Sequence, residues 1–278
     1  MDVILYNPLS RNGNNKRIVN KLVKKLNKKN IESEVIDLTK VDNVTDFLEK
    51  HEYAKRFIII GGDGTLNVLA NKIYNIDIKQ DIYLFKAGTG NDFIRSLSKK
   101  KGLVNIKEYL FNLPKVKFLD QEKYFLNGVG LGLDGLVVHK VNNSKYKNNK
   151  FNYFRHAFAG FKEFKPLEAE IIINGEVINE KKTWLVSIMN DKFFGGGMKI
   201  APRASRNEDM LDVVVVKKVS KFLLFLIFPT IYLGLHPIFK RYVKIIKTKE
   251  VKIKFNKDQY LQIDGEDFPQ VKEVEVTV

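Results

Sequence analysis

The chain contains no cysteine. That excludes a disulfide framework, a thiol nucleophile and any cysteine-ligated zinc or iron–sulfur centre, and it suits a reducing cytosol. Its histidines, His51, His139, His156 and His236, show no metal-ligand spacing, so none is a candidate ligand. Acidic residues are in deficit: 48 Lys+Arg stand against 32 Asp+Glu, a net charge of +16. No basic leader with an apolar stretch behind it is visible, because MD runs directly into VILY, and no export signal is expected. One segment lacks charge altogether. Residues 222–239, FLLFLIFPTIYLGLHPIF, carry no Lys, Arg, Asp or Glu and approach the length of about 18–20 residues that spans a bilayer. Pro229, Gly234, His236 and Pro237 interrupt it, so a buried or interfacial segment is expected rather than a span.

What is present argues for a folded chain. With 44% hydrophobic residues and 20 Phe in 278 residues, disorder is excluded, and a prior of about 150 residues per domain favours two domains. From residue 1 to 113, short apolar runs alternate with stretches of helical period, the signature of a parallel sheet. Strands are expected at 3–6, 34–38, 56–60 and 81–85, with helices at 14–28 and 43–52. In the first helix Ile18, Val19, Leu22, Val23 and Leu26 form one stripe, while Lys16, Lys21, Lys24, Lys25 and Lys28 populate the other face. Beyond Pro114 the period becomes two, with Asn174-Gly175 as a hairpin signal and strand-like runs WLVSIM, LDVVVV, VKIKF, YLQID and VEVTV. The expected architecture is an α/β domain over 1–113 and a β-rich, sandwich-like domain over 114–278. The Lys/Asn-rich tract 142–150 reads as an exposed loop.

Three polar loops follow strands of the first half. The first, Asn7-Pro8-Leu9-Ser10-Arg11-Asn12-Gly13, precedes a helix, so backbone N–H groups face whatever sits above the strand end. Alone it reads equally as turn punctuation. The second is Gly61-Gly62-Asp63-Gly64-Thr65, followed by the helical positions Leu66, Leu69, Ala70 and Ile73. Its glycines let a diphosphate approach the backbone, Asp63 is an anion suited to Mg²⁺, and Thr65 is placed to cap the helix. The bland alternative is a tight turn with Asp63 as a capping residue. The third loop, Ala87-Gly88-Thr89-Gly90-Asn91-Asp92-Phe93, completes a set that would line one crevice outside the strand ends.

GGDGTLN, GTGNDF, FLNGVGLGLDG, FFGGGMKIAP and IDGE occur in that order across nearly the whole chain. This series resembles the diacylglycerol kinase catalytic family, in its bacterial soluble lipid-kinase branch. GGDGT is shared with NAD kinases, and the later motifs select the lipid branch. The resemblance implies a nucleotide-binding α/β domain of the NAD kinase/diacylglycerol kinase type, a C-terminal β-rich domain, nucleotide in the cleft between them, and ATP-dependent phosphorylation of a lipid hydroxyl. Carried over by position, Asn7, Pro8, Leu9, Ser10, Arg11, Thr39, Gly62, Asp63, Gly64, Thr65, Leu66, Asn67 and Thr89 match ATP-contacting positions. Asp63, Asp92 and Asp120 match an acidic, Mg²⁺-linked network; Asp120 also reads as an exposed polar residue of a half-buried strand. Asp264 and Glu266 match the motif whose carboxylate accepts the proton of the attacking hydroxyl, although Asp264-Gly265 is equally a hairpin signal.

The chain departs from the family pattern at three places. Glu208-Asp209 stands where Asp-Gly is usual, at a site where that residue and the carbonyls of Leu211 and Val213 hold a structural Mg²⁺; Val68 replaces a glutamate, and Lys86 a proline. The base and cleft aspartates are retained, so an active enzyme is expected, with ATP and Mg²⁺ as cofactors. The charge, with Lys221, Lys240 and Arg241 around 222–239, suits a peripheral protein of the cytoplasmic membrane face that meets anionic lipid. No nucleic-acid reading module is present, so a nucleic-acid partner is not expected. The competing readings are an NAD kinase-like soluble nucleotide kinase and a non-catalytic module that binds lipid or anionic membrane. A homodimer is compatible with the sequence.

Overall fold

The computed structural model describes residues 1–8, 15–86, 91–97, 102–144 and 150–278, the side chains of 150–154 excepted. The chain divides into two units, Met1–Leu113 and Pro114–Val278.

In the first unit β1 (Asp2–Tyr6), β2 (Ser33–Asp37), β3 (Arg56–Gly61) and β4 (Asp81–Lys86) lie parallel in the order β2-β1-β3-β4. A short β5 (Leu103–Asn105), absent from the sequence-based expectation, adds to β4 antiparallel. The apolar run of β3 is buried on both sides. Ile58 and Ile60 cluster with Ile4 and with Val19, Leu22 and Leu26 of α1 (Asn15–Asn27). Phe57 and Ile59 share the opposite face with Phe47 of α2 (Val44–Lys50) and with Leu69 and Ile73 of α3 (Asp63–Ile73). A strand covered on both faces needs continuous rather than alternating hydrophobicity, which is what FIII supplies. The chain leaves β1 toward β2 on one side and returns to β3 on the other. The carboxyl ends of β1 and β3 therefore flank the switch point of the sheet, where open α/β sheets bind ligands.

The second unit is built from β6 (Lys115–Phe118), β7 (Gln121–Tyr124), β8 (Gly128–Gly132), β9 (Leu167–Ile173), β10 (Glu176–Met189), β11 (Leu211–Lys217), β12 (Val243–Thr248), β13 (Glu250–Ile263) and β14 (Glu266–Thr277). The order is β12-β11-β10-β8-β13-β14-β6-β7, all antiparallel, and β9 pairs with both β10 and β13. The long strands β10 and β13 are thus bridged twice, by β8 and by β9, around a core that includes Phe125, Leu131, Ile171, Ile188 and Phe255. WLVSIM is the end of β10, and VKIKF and YLQID are one strand, because a register irregularity lets each long strand serve two partners.

Two helices were not expected in a unit of period-two texture, α5 (Leu133–Asn142) and α6 (Lys150–Glu163); with α7 (Lys221–Ile227), in the segment read as buried or interfacial, they contribute to a second apolar cluster around Trp184. The expected loop at 142–150 joins α5 to α6, and its residues 145–149 lie outside the described residues. α5 can lie this close only over glycine. A Cβ on Gly130 would sit 1.8 Å from Asp134 Oδ2, and one on Gly135 2.0 Å from the Tyr260 carbonyl oxygen. Residues 222–239 form most of α7 and two 3₁₀ turns, and no helix among the described residues is long and apolar enough to cross a membrane.

Candidate active site

Parallel pairing brings the ends of β1, β2 and β3 to one edge of the first sheet. Asn7 and Pro8 follow β1, and the Asn7 carbonyl accepts from Asn15 Nδ2 at 2.9 Å. Thr39 follows β2 in a 3₁₀ turn, where Asp37 Oδ1 accepts from its backbone N–H at 2.9 Å and its hydroxyl at 2.7 Å. Gly62 follows β3 as the N-cap of α3 and makes no side-chain cap bond. Thr65 is therefore not the cap; it lies buried inside the first turn, and a Cβ on Gly61 would meet its Cβ at 2.6 Å. Leu66 is fully buried, and its N–H donates to the Gly62 carbonyl. Asn67 is buried one residue further on, and Gly64 has open space where a Cβ would be. Leu9, Ser10, Arg11 and Thr89 lie outside the described residues.

Asp63 does more than end a turn. Its Oδ2 accepts from the Asp92 N–H and its Oδ1 from the Phe93 N–H, both at 3.0 Å. These are the first two amides of α4 (Asp92–Ser96), so one carboxylate locks the glycine loop after β3 to the turn that opens α4. Asp92 is buried and paired with Arg95. Asp120 belongs to the second unit, where it is exposed at the tip of the β6–β7 hairpin with φ +59°.

Asp264 and Gly265 form the β13–β14 turn with φ +48° and +93°, the positive pair that a tight hairpin requires. The hairpin reading and the chemical reading meet here. The Asp264 carboxylate accepts three backbone N–H bonds: Oδ2 from Leu126 at 2.6 Å, and Oδ1 from Asn127 at 2.8 Å and Gly128 at 3.0 Å. Glu266 differs from it in being half exposed, with Oε2 2.7 Å from Lys123 Nζ. Beside them the Asp267 carboxylate binds His139 Nδ1 at 2.6 Å and Asn142 Nδ2 at 2.6 Å. Burial raises its proton affinity, but those two partners outweigh burial and hold it below the ordinary value.

Of the residues expected to hold Mg²⁺, Glu208 is engaged by an ammonium. Among the described residues no three His, Cys, Asp or Glu side chains gather in a metal-sized group. Glu208 Oε2 is 2.5 Å from Lys247 Nζ, which also lies 3.2 Å from Oδ1 of the buried Asp212. Asp212 and Lys247 face each other across β11 and β12, and Leu211 and Val213 lie on the same strand as Asp212. Glu208 above all, with help from Asp212 and against burial, pushes the Lys247 ammonium upward. An ammonium thus stands against the carboxylate that a cation would need.

Several polar residues of the second unit escaped the sequence reading. Arg206 Nε donates to Asp191 Oδ2 at 2.7 Å with the two side chains only 4% and 6% exposed, and its other nitrogens lie 3.3 Å from the Leu126 carbonyl and Asn127 Oδ1. Asn190 Nδ2 donates to the same Leu126 carbonyl at 3.0 Å. This network holds the segment whose amides meet Asp264. Asp134 was also missed, although it stands inside FLNGVGLGLDG: it is buried, accepts from Ser187 Oγ and Gln262 Nε2 at 3.2 Å, and burial pushes its carboxyl up to about 6 against those two bonds.

An α/β unit followed by an antiparallel, β-rich unit is the fold class shared by NAD kinases and diacylglycerol kinases. The diacylglycerol kinase catalytic domain matches residues 2–114, and the YegS C-terminal NAD kinase beta sandwich-like domain matches 127–277. The chain belongs to the diacylglycerol kinase catalytic family, in its bacterial branch. It is 26% identical over 271 residues to the Bacillus subtilis diacylglycerol kinase, covering 95% of this chain and 88% of that one. It is 26% identical over 274 residues to the Staphylococcus aureus diacylglycerol kinase, covering 95% and 85%. A crystal structure of a Bacillus anthracis diacylglycerol kinase shares the fold, with a TM-score of 0.60 at 16% identity over 99% of this chain and 93% of that one. Membership places the chain among ATP-using kinases.

Proposed function

We propose that this protein is an ATP-dependent lipid kinase that moves the γ-phosphoryl group of ATP to a lipid hydroxyl, with diacylglycerol as acceptor and phosphatidic acid as product. The observation that carries the reading is the Asp63 carboxylate, which ties the glycine loop after β3 to the first amides of α4 at the carboxyl edge of the parallel sheet. Such an edge presents N–H groups and helix termini to phosphate oxygens, which is most of what phosphoryl transfer asks of a protein. Asn7, Pro8, Thr39 and Gly62 to Asn67 belong to the nucleotide site in this reading, as do Leu9, Ser10, Arg11 and Thr89.

The acceptor chemistry falls to the second unit. The lipid oxygen forms a bond to the γ-phosphorus, the bond from that phosphorus to the β–γ bridging oxygen breaks, ADP leaves, and the hydroxyl proton passes to a carboxylate. Glu266 is that carboxylate, because Asp264 is occupied by three amides while Glu266 reaches solvent beside Lys123. The +16 charge favours attraction to acidic headgroups and a peripheral place on the cytoplasmic membrane face. The Lys247 contact with Glu208 disfavours a structural Mg²⁺ there.

The test is transfer of label from γ-labelled ATP in vesicles containing diacylglycerol. Label in a chloroform-soluble product supports the reading, whereas label only in a water-soluble dinucleotide returns the NAD kinase alternative. Vesicle binding with no turnover of ATP returns the non-catalytic one.

A further inference from the structure

The turn that carries Glu266 has a soft centre. Gly265 sits at φ +93°, and a Cβ there would meet nothing within 4 Å beyond its chain neighbours, so packing does not fix the two peptide groups that flank it. Asp264, before it, is held by the three amides on its carboxylate and by its own N–H, which donates to the Gly128 carbonyl at 3.0 Å. Glu266, after it, meets Lys123 in a half-exposed ion pair, a contact that fixes a side chain only weakly. The peptides between these two carboxylates are held from the other face of the hairpin.

Ile263 pairs with Glu266, and Gln262 with Asp267, so alternation along β13 and β14 sends the two pairs to opposite faces. Ile263 joins the core of the strands, while Gln262 and Asp267 meet α5. Gln262 is 3% exposed; its Oε1 accepts from the Gly265 N–H at 3.0 Å and its Nε2 donates to Asp134 Oδ2 at 3.2 Å. A backbone N–H can only donate, which fixes the amide oxygen toward Gly265 and leaves the NH₂ for Asp134. Asn142, the last residue of α5, supplies the other half: its Nδ2 donates to the Gly265 carbonyl at 3.0 Å and to Asp267 Oδ1 at 2.6 Å. The N–H and the C=O of Gly265 are therefore each taken by a side-chain amide, one on either side of its Cα. His139, one helical turn before Asn142, binds the second oxygen of Asp267 at 2.6 Å and stacks on Tyr260 with ring centroids 4.3 Å apart, so the carboxylate that shares Asn142 is itself held. The bare Cα of Gly135 against the Tyr260 carbonyl is what lets α5 come near enough for these bonds.

We infer that Gln262 and Asn142 are positioning residues for Glu266: they clamp the peptide groups on both sides of Gly265, and this clamp sets where the Glu266 carboxylate stands when it takes the proton of the acceptor hydroxyl. The part the clamp plays in transfer rests on the lipid-kinase reading; its hold on the turn does not. Rotation about a glycine hinge displaces every atom beyond it, and misplacing a reacting group by about 1 Å can cost about 10²-fold in rate. The two amides act through the turn and not on the substrate.

The full chain is compared with Gln262→Met, which keeps the length of the side chain and removes both amide functions, and with Asn142→Ala at an exposed position. Two readouts are taken: hydrogen exchange of the backbone amides of 264–267, and transfer of label from γ-labelled ATP to diacylglycerol in vesicles. Exchange at Gly265 is expected to quicken about tenfold in Gln262→Met, the equivalent of one lost hydrogen bond, and exchange across 264–267 to rise in Asn142→Ala. In each variant kcat falls about tenfold to 10²-fold while KM for ATP holds. In a Glu266→Gln background the same substitutions cost less than about twofold more, because the group they serve is already gone. A loss of turnover that repeats in full in that background shows a role in stability alone and overturns the link to Glu266. Unchanged exchange overturns the clamp, whatever the turnover. Should Gln262→Met not fold, Asn142→Ala decides by the same two readouts. Faster exchange in the variants of a protein that labels no lipid supports the clamp and sinks the lipid-kinase reading instead.

Discussion

Asp264→Asn separates an anchoring carboxylate from a catalytic one. Asparagine tolerates the left-handed backbone that φ +48° requires, so the substitution changes charge and donor pattern without straining the turn. Its amide keeps one oxygen for the Asn127 and Gly128 N–H groups, but an NH₂ then faces the Leu126 N–H, which now approaches an oxygen at 2.6 Å. A buried donor left without an acceptor costs about 1–3 kcal/mol, and the two surviving bonds each lose about 1 kcal/mol of charge assistance. The sum is about 3–5 kcal/mol, or roughly 10 °C in Tm for a unit of this size. Glu266→Gln is the control. Its partner Lys123 forms an exposed pair worth at most about 1 kcal/mol, so Tm should hold, while transfer falls about 10²–10⁴-fold. Thermal denaturation by circular dichroism, beside transfer assays on the same preparations, reads both. Asp264→Asn melting with the wild type while losing transfer, or Glu266→Gln losing stability, would refute the assignment.

Asp63→Asn should remove an acceptor from the Asp92 or Phe93 amide and cost about 1 kcal/mol, as loss of a cap does, while nucleotide affinity measured by calorimetry falls with it; undiminished affinity argues against the nucleotide edge. Asp134 gives a pH signature. Its folded carboxyl titrates at about 6 against an ordinary 3.8, so the stability it contributes is complete below 3.8 and is lost as pH rises through 6. Asp134→Asn should therefore be more stable than the wild type above pH 6 by up to about 3 kcal/mol, and parallel urea midpoints from pH 4 to 8 would contradict this. In nucleotide-free protein, adding Mg²⁺ or chelator should leave Tm unchanged, whereas Lys247→Ala should gain stability on adding Mg²⁺ because Asp212 and Glu208 lose their ammonium; a wild type that melts earlier in chelator speaks against that view.

The first unit was legible because its signals are local. FIII followed by three glycines and an aspartate gives strand, turn and helix without reference to the rest of the chain. Thr65 was misread as a cap because sequence does not show where the helix begins: the N-cap is Gly62, which puts Thr65 inside the first turn. In the second unit α5 was missed since LDGLVVHKVN is buried on most sides and carries no clear period. The anchoring role of Asp264 was missed for a deeper reason: its partners are backbone amides, which every residue but proline possesses, so no side-chain pattern marks them. Arg206 and Asp191 were invisible in the same way, charges that read as surface and meet in the interior.

The double bridging of β10 and β13 bears on how the second unit comes into being. Hairpins β9–β10 and β13–β14 form from neighbours in sequence, but β8 needs one partner that starts near residue 176 and another that ends at Ile263. During synthesis β8 therefore waits with an open edge until β13 has emerged, and closure depends on contacts far apart in the chain, the kind that slow folding. Ribosome-bound chains stopped before β13 should expose that edge to chaperones, and a stop after Ile263 should release it.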